Sequence, residues 1–325
     1  MNPGRVVSGC LDMLVVPGFS RIGYQVRSRI GGWQRLEEMS MRGRTVVLTG
    51  PTSGLGRAAA DALAQMGAHL VLVARSRGKC EAVAAELAAT HPNCTAEVVV
   101  ADMSDLAAVG EAARGIAASH GRIDVLVHNA GALTNERCVS PQGFESTIAT
   151  HVLGPHLMTR VLMNAIRSAN GRVVTVSSGG MYLAALPRIG DGRTPEMSEE
   201  RYDGTKQYAV AKRVQVTLNE MWATREPSVS FHSMHPGWAD TPGVRESIPG
   251  FRRLTRPILR SPAEGADTIV WLAAVSPAPG ASGRFWCDRE PRSIHRTGAT
   301  RRSDTEQARA ALWAWCDAQT DSWMS

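Results

Sequence analysis

The sequence predicts a doubly wound α/β fold: three layers, α/β/α, around a mainly parallel seven-stranded sheet. Three observations carry that reading. From Arg44 onward, short β-branched runs alternate with Ala-rich stretches of helical length, the order that builds parallel strands joined by crossover helices. Runs such as Val98-Val99-Val100-Ala101 and Val173-Val174-Thr175-Val176 are continuously apolar, as strands buried on both faces are. A chain of 325 residues, 43% hydrophobic and 20% charged, also has enough apolar surface for a large core, which excludes disorder as its main state.

Taken in order, the strands fall near residues 44–49, 69–74, 95–101, 123–128, 171–177, 228–235 and 283–287. The helices between them fall near 55–67, 78–90, 105–120, 143–169, 206–225 and 263–275. Residues 1–40 form an N-terminal extension in which Val26, Ile30, Trp33 and Leu36 recur at near-helical spacing. Residues 41–290 hold the α/β domain, and 291–325 a basic C-terminal part. There, an Arg-, Pro- and Ser-rich stretch over 288–303 reads as a loop. A short amphipathic helix follows, capped by Asp304 and carrying Ala308, Leu312, Trp315 and Cys316.

The net charge of +6 sits at the two ends. Residues 1–44 carry seven Arg against three acids and residues 284–309 seven against four, while 45–283 hold 22 basic and 21 acidic residues. A nearly neutral body argues against nucleic-acid binding; the basic ends read as solvated tails or as peripheral contacts with an anionic membrane surface. No apolar run approaches the roughly 20 residues that span a bilayer. Asp12 and Pro17 interrupt the one N-terminal apolar stretch, against the pattern of a signal peptide, so a cytoplasmic protein is expected. Cys10, Cys80, Cys94, Cys138, Cys287 and Cys316 form no Cys-x-x-Cys pair and read as reduced packing residues rather than disulfides or metal ligands.

The first strand ends in Thr49-Gly50-Pro51-Thr52-Ser53-Gly54-Leu55-Gly56 and enters a helix directly. Gly50 permits a tight turn, Gly54 lets the backbone approach a pyrophosphate, and Gly56 allows close helix packing, while the helix N-terminus offers unpaired N–H groups and the positive end of its dipole. Strand, glycine turn and helix together read as a Rossmann dinucleotide site. The second strand ends Val73-Ala74-Arg75, with no acid to take the ribose hydroxyls of NAD. Arg75, helped by Arg77 or Arg57, suits a ribose 2′-phosphate, which favours NADP(H) over NAD(H); the alternative is a plain surface arginine.

With four tyrosines and three lysines, a Tyr-x-x-x-Lys should occur by chance only about 0.04 times, yet it occurs twice. Tyr202 and Lys206 straddle Asp203-Gly204, a turn-like pair that disfavours a helix, whereas Tyr208 and Lys212 open the periodic run Val210, Val214, Leu218, Met221. Residues four apart on a helix lie side by side, so the Lys212 ammonium is expected to favour the ionised Tyr208 phenol and make it a usable acid or base.

The glycine segment, Asp102, His128-Asn129-Ala130-Gly131, Ser177-Ser178 and Tyr208-Ala209-Val210-Ala211-Lys212 stand in the order of the short-chain dehydrogenases/reductases, which the chain resembles over about residues 41–290. Its glycine spacing resembles the core branch of that superfamily. The stretches Val176 to Met181 and Ser233 to Arg245 look especially like one member, a likeness that takes in the N-terminal extension. The resemblance implies that Ser178 binds the substrate oxygen, with Ser177 the lesser candidate, and that Tyr208 exchanges the proton while Lys212 also holds the nicotinamide ribose. It implies further that Asp102 and Met103 meet the adenine, that Asn129, Ala130 and Gly131 stand beside the cofactor, and that Pro236, Gly237 and Thr241 close on the nicotinamide and pyrophosphate. His128 replaces the first Asn of the usual Asn-Asn-Ala-Gly. A second departure is His151, where the family has the asparagine that completes a catalytic tetrad by holding a water. A neutral imidazole can hold the same water and would then make turnover pH-dependent near its own pKa; equally, His151 reads as a core histidine.

After Thr241, the residues Val244, Ile248, Phe251, Leu254, Ile258 and Leu259 are mixed with Arg245, Arg252, Arg253, Arg256 and Arg260. A mobile lid over an apolar pocket that includes Met181, Leu183 and Trp238 suits a lipophilic carbonyl or alcohol such as a retinoid, steroid or fatty aldehyde; ordinary packing with solvated arginines is the alternative. The expected activity is therefore an NAD(P)-dependent alcohol dehydrogenase or carbonyl reductase on a small molecule. The rival is a dinucleotide-binding protein with little catalysis and a sensing or membrane-surface role. The resemblance also implies a homo-oligomer paired through the helix near 143–169 and the active-site helix.

Overall fold

The computed structural model describes residues 15–247 and 249–325, and leaves the side chains of Val15, Val244, Glu246, Ser247, Pro249 and Phe251 undescribed. Cys10, Asp12 and Ile248 thus lie outside the described residues. Two short helices, α1 (Val15–Phe19) and α2 (Arg21–Ile30), precede the sheet. Then follow β1 (Thr45–Thr49), α3 (Gly54–Gln65), β2 (His69–Ala74), α4 (Arg77–Thr90), β3 (Thr95–Val100), α5 (Leu106–Ser119) and β4 (Val125–His128). A helical turn at Ser146–Ile148 and a π-helical turn at Ala149–Leu153 lead into α6 (Gly154–Ser168). The second half is β5 (Arg172–Val176), α7 (Gly204–Arg225), β6 (Ser230–Met234), α8 (Pro242–Ser247), α9 (Pro249–Thr255), α10 (Pro262–Ala274), β7 (Arg284–Cys287), β8 (Glu290–Arg292), α11 (Gly298–Ser303) and α12 (Glu306–Thr320).

The sheet runs β3-β2-β1-β4-β5-β6-β7-β8, all parallel except β8. Its strands are apolar on both faces for a visible reason. On β2, Leu70, Leu72 and Ala74 enter the core under α3, α4 and α10, while Val71 and Val73 enter the opposite core under α5, α6 and α7. Helix starts follow local capping: Asp105 accepts from the Ala107 and Ala108 amides, and Ser261 and Glu264 form a reciprocal capping box on α10.

Eight strands replace the seven expected. After β7 the chain turns through Asp288 and Arg289, both at positive φ (55° and 56°), and Glu290–Arg292 returns antiparallel. Glu-Pro-Arg has no strand character, and the left-handed pair is not the glycine turn that announces a hairpin. The rest of the stretch read as a loop also holds α11, capped by Thr297. Helix α12 is capped by Thr305, not Asp304, whose carboxylate is buried against Arg213 (3.1 Å) and Arg309 (2.6 Å).

The basic ends are knit into the body. Helix α2 stops at Ile30, before Gly31 and Gly32, so Trp33 and Leu36 are not on its face; Trp33 instead meets the Tyr24 ring at 5.5 Å and the Arg289 guanidinium at 4.7 Å. Arg27 and Arg260 share the Asp288 carboxylate at 2.5 Å each, all three side chains about 1% exposed. Arg289 pairs with Asp267, Arg292 with Glu290, and Arg309 with Glu220 as well as Asp304. Helix α12 packs across α6 and α7, where His156 meets Asp317 (2.8 Å), Arg160 meets Thr320 (2.7 Å) and Trp222 meets Trp313 (ring centroids 4.7 Å apart). The helix pair that the resemblance uses for subunit pairing is thus overlaid by the chain's own last helix.

Removing one partner of a buried ion pair costs about 3–5 kcal/mol because an uncompensated charge is left inside. Asp288→Asn, which strands two arginines, is expected to lose that much in urea unfolding, whereas Arg35→Ala, at a pair with exposed side chains, should change stability by less than about 0.5 kcal/mol.

Burial holds three histidines neutral: His128 on β4 and His235 after β6 are pushed down to about 3, and His232 on β6 to about 4. Their unfolded counterparts take up protons below about 6.5. Their stabilisation is therefore complete above that pH and lost as pH falls toward the folded values, by up to about 2 kcal/mol for each at pH 5. Urea midpoints measured at pH 7 and pH 5 should show the loss.

Candidate active site

Because strands β1 to β7 are parallel, the loops after them gather along one edge of the sheet, and the chain's two winding directions part between β1 and β4. A cavity of about 960 Å³ opens at that place. It is lined by every cofactor or catalytic candidate of the sequence except Thr49 and the two helper arginines, Arg57 and Arg77. Thr49 is buried beneath it: its Oγ1 donates to the Val127 carbonyl (3.3 Å) and accepts from the Asn129 and Ala130 amides (3.0 Å each). That hydroxyl ties the ends of β1 and β4 together without facing the cavity.

The glycine turn is cut to fit. Gly50 has φ +68°, and a Cβ there would lie 2.8 Å from the Ala130 Cα; a Cβ on Gly56 would lie 2.0 Å from the Gly50 carbonyl oxygen. Asn129 Nδ2 donates to the Thr49 and Gly50 carbonyls at 3.0 Å each, so this side chain pins the loop. Helix α3 starts at Gly54, and Ser53 at its N-cap makes no side-chain capping bond, which leaves the first amides available to an anion. Glycines where a side chain would collide, together with uncapped amides, are what a pyrophosphate cradle requires, so Gly50, Ser53, Gly54, Leu55 and Gly56 fit a dinucleotide.

Arg75 lines the cavity at the end of β2 and makes no ion pair among the described residues. Its two expected helpers are committed elsewhere: Arg57 to Glu86 (2.8 Å) and Asp61 (3.6 Å), Arg77 to Glu81 (3.7 Å). Asp102, after β3, accepts from the Ser104 amide and hydroxyl (2.9 and 2.8 Å), and Met103 beside it is buried. On the far side, Pro236 and Gly237 rest on Arg260, which donates to the Pro236 carbonyl at 3.2 Å; Gly237 has φ +74°, and a Cβ there would lie 2.2 Å from Arg260 Nε. Thr241 packs against Gly54, closing the ring.

The reacting end is built from α7 and the turn after β5. Asp203 and Gly204, read from sequence as a turn, are the N-cap and first residue of α7: Asp203 accepts from the Lys206 amide at 3.0 Å, so Tyr202 stays outside the helix and bonds Thr134 and Glu145. Tyr208 and Lys212 share the helix, as expected, with Lys212 Nζ 5.2 Å from the centre of the Tyr208 ring. Tyr208 stands beside Ser178 on the cavity wall, and Ser178 Oγ accepts from the Gly180 amide at 3.2 Å. Ser177 is turned away, its hydroxyl donating to the Lys212 carbonyl at 3.1 Å.

The electrostatics depart from expectation. Burial pushes the Tyr208 phenol up to about 12, with the neighbouring Ser178 hydroxyl opposing it, and Lys212 does not act as the lowering partner. Burial instead brings Lys212 down to about 7, and its ammonium donates to the Val176 carbonyl at 2.9 Å. His151 sits in the π-helical turn, its ring edge-on to Tyr208 with centroids 5.4 Å apart. Its Nε2 donates to the Ala132 carbonyl at 3.0 Å, and burial, then Lys212, drives its pKa well below the ordinary value. A pH dependence carried by the His151 pKa, one expectation from the sequence, is thereby moved below the ordinary imidazole range. His128 is buried on β4 with Nε2 at 2.8 Å from Thr159 Oγ1.

Several lining residues escaped the sequence reading. Phe19, from α1, packs edge-on to His235 (4.5 Å), and His235 Nδ1 accepts from the Gly179 amide at 3.1 Å. Arg296 lies over the Phe19 and Tyr182 rings at 5.0 and 4.6 Å. Of these, His235 alone had a usable signal, since it follows a parallel strand directly. Leu183 and Trp238 line the cavity, but Met181 is buried behind it and Leu254 is 84% exposed. The arginines after Thr241 are not all solvated: Arg245 and Arg252 hold Asp240, and Arg260 is buried. The side chains of Val244, Ile248 and Phe251 lie outside the described residues.

The sequence model of the short chain dehydrogenases matches residues 44–249. Human dehydrogenase/reductase SDR family member 12 is 39% identical over 267 residues, 81% of this chain and 82% of that protein, and human retinol dehydrogenase 12 is 27% identical over 89% and 90%. Among solved structures, a Beutenbergia cavernae protein described as an NAD(P)-dependent gluconate 5-dehydrogenase, with NADP bound at low occupancy, superposes with a TM-score of 0.60 at 26% identity, covering 76% of this chain and 95% of that one. L-Sorbose reductase of Gluconobacter frateurii, at 21% identity, shares the fold with a TM-score of 0.60 over 77% of this chain and 96% of its own. With a glycine cradle, Ser178, Tyr208 and Lys212 around one cavity, and with these likenesses, the chain belongs to the short-chain dehydrogenase/reductase family of oxidoreductases.

Proposed function

We propose that the protein is an NADP(H)-dependent oxidoreductase that interconverts a carbonyl and an alcohol on a lipophilic small molecule. The observation that carries this reading is the meeting of Tyr208, Ser178 and Lys212 with the glycine cradle in one cavity. Gly50, Gly54, Leu55 and Gly56 would hold the pyrophosphate, Asp102 and Met103 the adenine end, Pro236, Gly237 and Thr241 the opposite wall, and Lys212 the nicotinamide ribose. The bound dinucleotide supplies or accepts the hydride.

The chain's own groups manage the oxygen and the proton. With its phenol pushed up to about 12, Tyr208 is protonated at neutral pH, the form that can hand a proton to a carbonyl oxygen as hydride reaches the carbon. Ser178 is near enough to bond the same oxygen and stabilise its growing charge. Lys212, brought to about 7 by burial, has its ammonium on the Val176 carbonyl, so its part is to hold the nicotinamide ribose and not to lower the phenol. Phe19, Tyr182, Leu183 and Trp238 give the outer cavity an apolar lining suited to a lipophilic substrate.

The preference for NADP(H) is supported by Arg75, which faces the cavity without a carboxylate partner among the described residues, and by the NADP in the gluconate 5-dehydrogenase structure. Bidentate, charge-assisted bonds to a 2′-phosphate are worth more than neutral ones. Arg75→Ala is therefore expected to weaken NADPH by at least tenfold and NADH little, as read by fluorescence titration. Tighter NADH than NADPH binding by the unaltered protein would overturn the preference.

NADPH oxidation measured with a panel of aldehydes and ketones tests the activity. Tyr208→Phe should lower kcat by about 10²–10⁴-fold while NADPH still binds. Tight NADPH binding without turnover on any carbonyl or alcohol would favour the rival reading, a dinucleotide-binding protein with little catalysis.

A further inference from the structure

At the opposite edge of the sheet from the cavity, three elements bring metal-binding side chains together. His69 begins β2, Glu97 is the third residue of β3, and His120 follows α5 directly. The register sets two of them on one face: β2 and β3 are parallel with His69 opposite Thr95, so His69 shares its face with Val71 and Val73, and Glu97 shares its face with Val99. Those valines pack in the core that α5 covers through Leu106, Val109 and Ile116. Helix α5 runs back against the strands, so its C-terminal end delivers His120 to where β2 and β3 begin.

Each of the three residues offers one ligand atom within 4.8 Å of the other two. His120 Nε2 lies 2.5 Å from Glu97 Oε1, and the two imidazole rings are 5.2 Å apart. His69 Nδ1 is tied to Thr95 Oγ1 at 2.6 Å, which fixes the ring, while its Nε2 is shielded from solvent with no hydrogen-bond partner among the described residues. Buried nitrogens normally find partners, so an orphaned one beside a second imidazole and a carboxylate calls for an explanation. Two neutral imidazoles and a carboxylate are a donor set of borderline hardness, suited to Zn²⁺ and its neighbours rather than to Mg²⁺ or Ca²⁺, which prefer all-oxygen sites. The Thr95 hydroxyl is the kind of outer partner that orients a ligating histidine.

We propose that His69, Glu97 and His120 bind a divalent transition-metal ion, Zn²⁺ above all, which clips edge strand β3 to β2 and to the end of α5. The site lies about 20 Å from the cavity, the length of β2 at roughly 3.3 Å per residue. Its role is to hold the sheet's exposed edge, and no reacting group is near it. Binding to the fold but not to the unfolded chain raises stability with metal concentration.

The test uses the full-length chain, stripped with chelator and titrated with Zn²⁺ by calorimetry and thermal unfolding. One saturable site per chain and a rise in Tm are expected. His69→Asn and His120→Asn should each weaken binding at least tenfold, and Thr95→Val should weaken it by about 10–100-fold, as loss of an outer partner does. Cobalt bound at the site should show ligand-field bands without a thiolate charge-transfer band, which separates it from the cysteines. NADPH affinity should be the same in all variants. Absence of saturable binding, a thiolate signature, or equal Zn²⁺ affinity in the His69→Asn/His120→Asn double variant would overturn the proposal.

Discussion

The cleft depends on how closely α3 is drawn onto the end of β1. A Cβ at Gly56 would stand 2.0 Å from the Gly50 carbonyl oxygen and 2.4 Å from Asn129 Nδ2, so the helix can approach only because that position is bare. The approach leaves the Thr49 and Gly50 carbonyls under a helix, and both are satisfied by the Asn129 amide. Thr49 completes the lock by bonding the strand end of β4 from below. Strands β1 and β4 are neighbours in the sheet although three crossovers separate them in sequence, and their joined ends form the floor on which the turn presents its amides.

A second constraint works from the opposite wall. Asp288, in the turn between β7 and β8, balances two arginines, Arg27 from the N-terminal helices and Arg260 from the segment between β6 and α10. Their remaining N–H groups are spent on carbonyls: Arg27 on Gly18, Arg260 on Ser20 and Pro236. Two guanidiniums and one carboxylate are costly to bury, and such a cluster is tolerated when its hydrogen bonds are filled. Filling them fastens the N-terminal helices under the Pro236–Gly237 loop. Phe19, whose carbonyl accepts from the Trp238 amide at 2.8 Å, then becomes part of the cavity wall. From residue 15 onward the extension is structural material for the cleft and not a detached basic tail.

This division explains what was legible in sequence. Most of the seven parallel strands were readable because two-sided burial demands continuous apolar runs, a local signature, although β6 reads Ser-Phe-His-Ser-Met. The glycine turn, Tyr208 and Lys212 were readable because spacing along a strand, turn or helix fixes who stands beside whom. Spacing does not fix direction: Lys212 is one helical turn from Tyr208, yet its ammonium reaches to the Val176 carbonyl, a contact across 36 residues. Likewise Arg57 and Arg77 were well placed on paper, but each has a carboxylate on its own or a neighbouring helix. Phe19 and Arg296 were invisible because they come from opposite ends of the chain and meet only through the Asp288 cluster and the hairpin, whose strand β8 carries no strand-like residue. Asp203-Gly204 misled for a simpler reason: an Asp that starts a turn and an Asp that caps a helix look alike until the helix behind it is counted.

His151 shows how geometry narrows a choice that chemistry alone leaves open. The Ala132 carbonyl can only accept, so Nε2 must carry the proton, and neutral imidazole then offers Nδ1 solely as an acceptor. That atom is buried without a partner. An asparagine at this place would offer both a donor and an acceptor; the histidine has spent its donor on the backbone. Room for the ring comes from Gly131, where a Cβ would stand 2.1 Å from the imidazole Cε1, so the retained glycine and the exchanged histidine are two halves of one accommodation. Any proton relay through this residue would have to deliver a hydrogen to Nδ1, and protonating it would make a cation beside Lys212, which burial and that ammonium both oppose. His151 is therefore fitted to hold a donor in place as a neutral group, and poorly fitted to carry a proton itself.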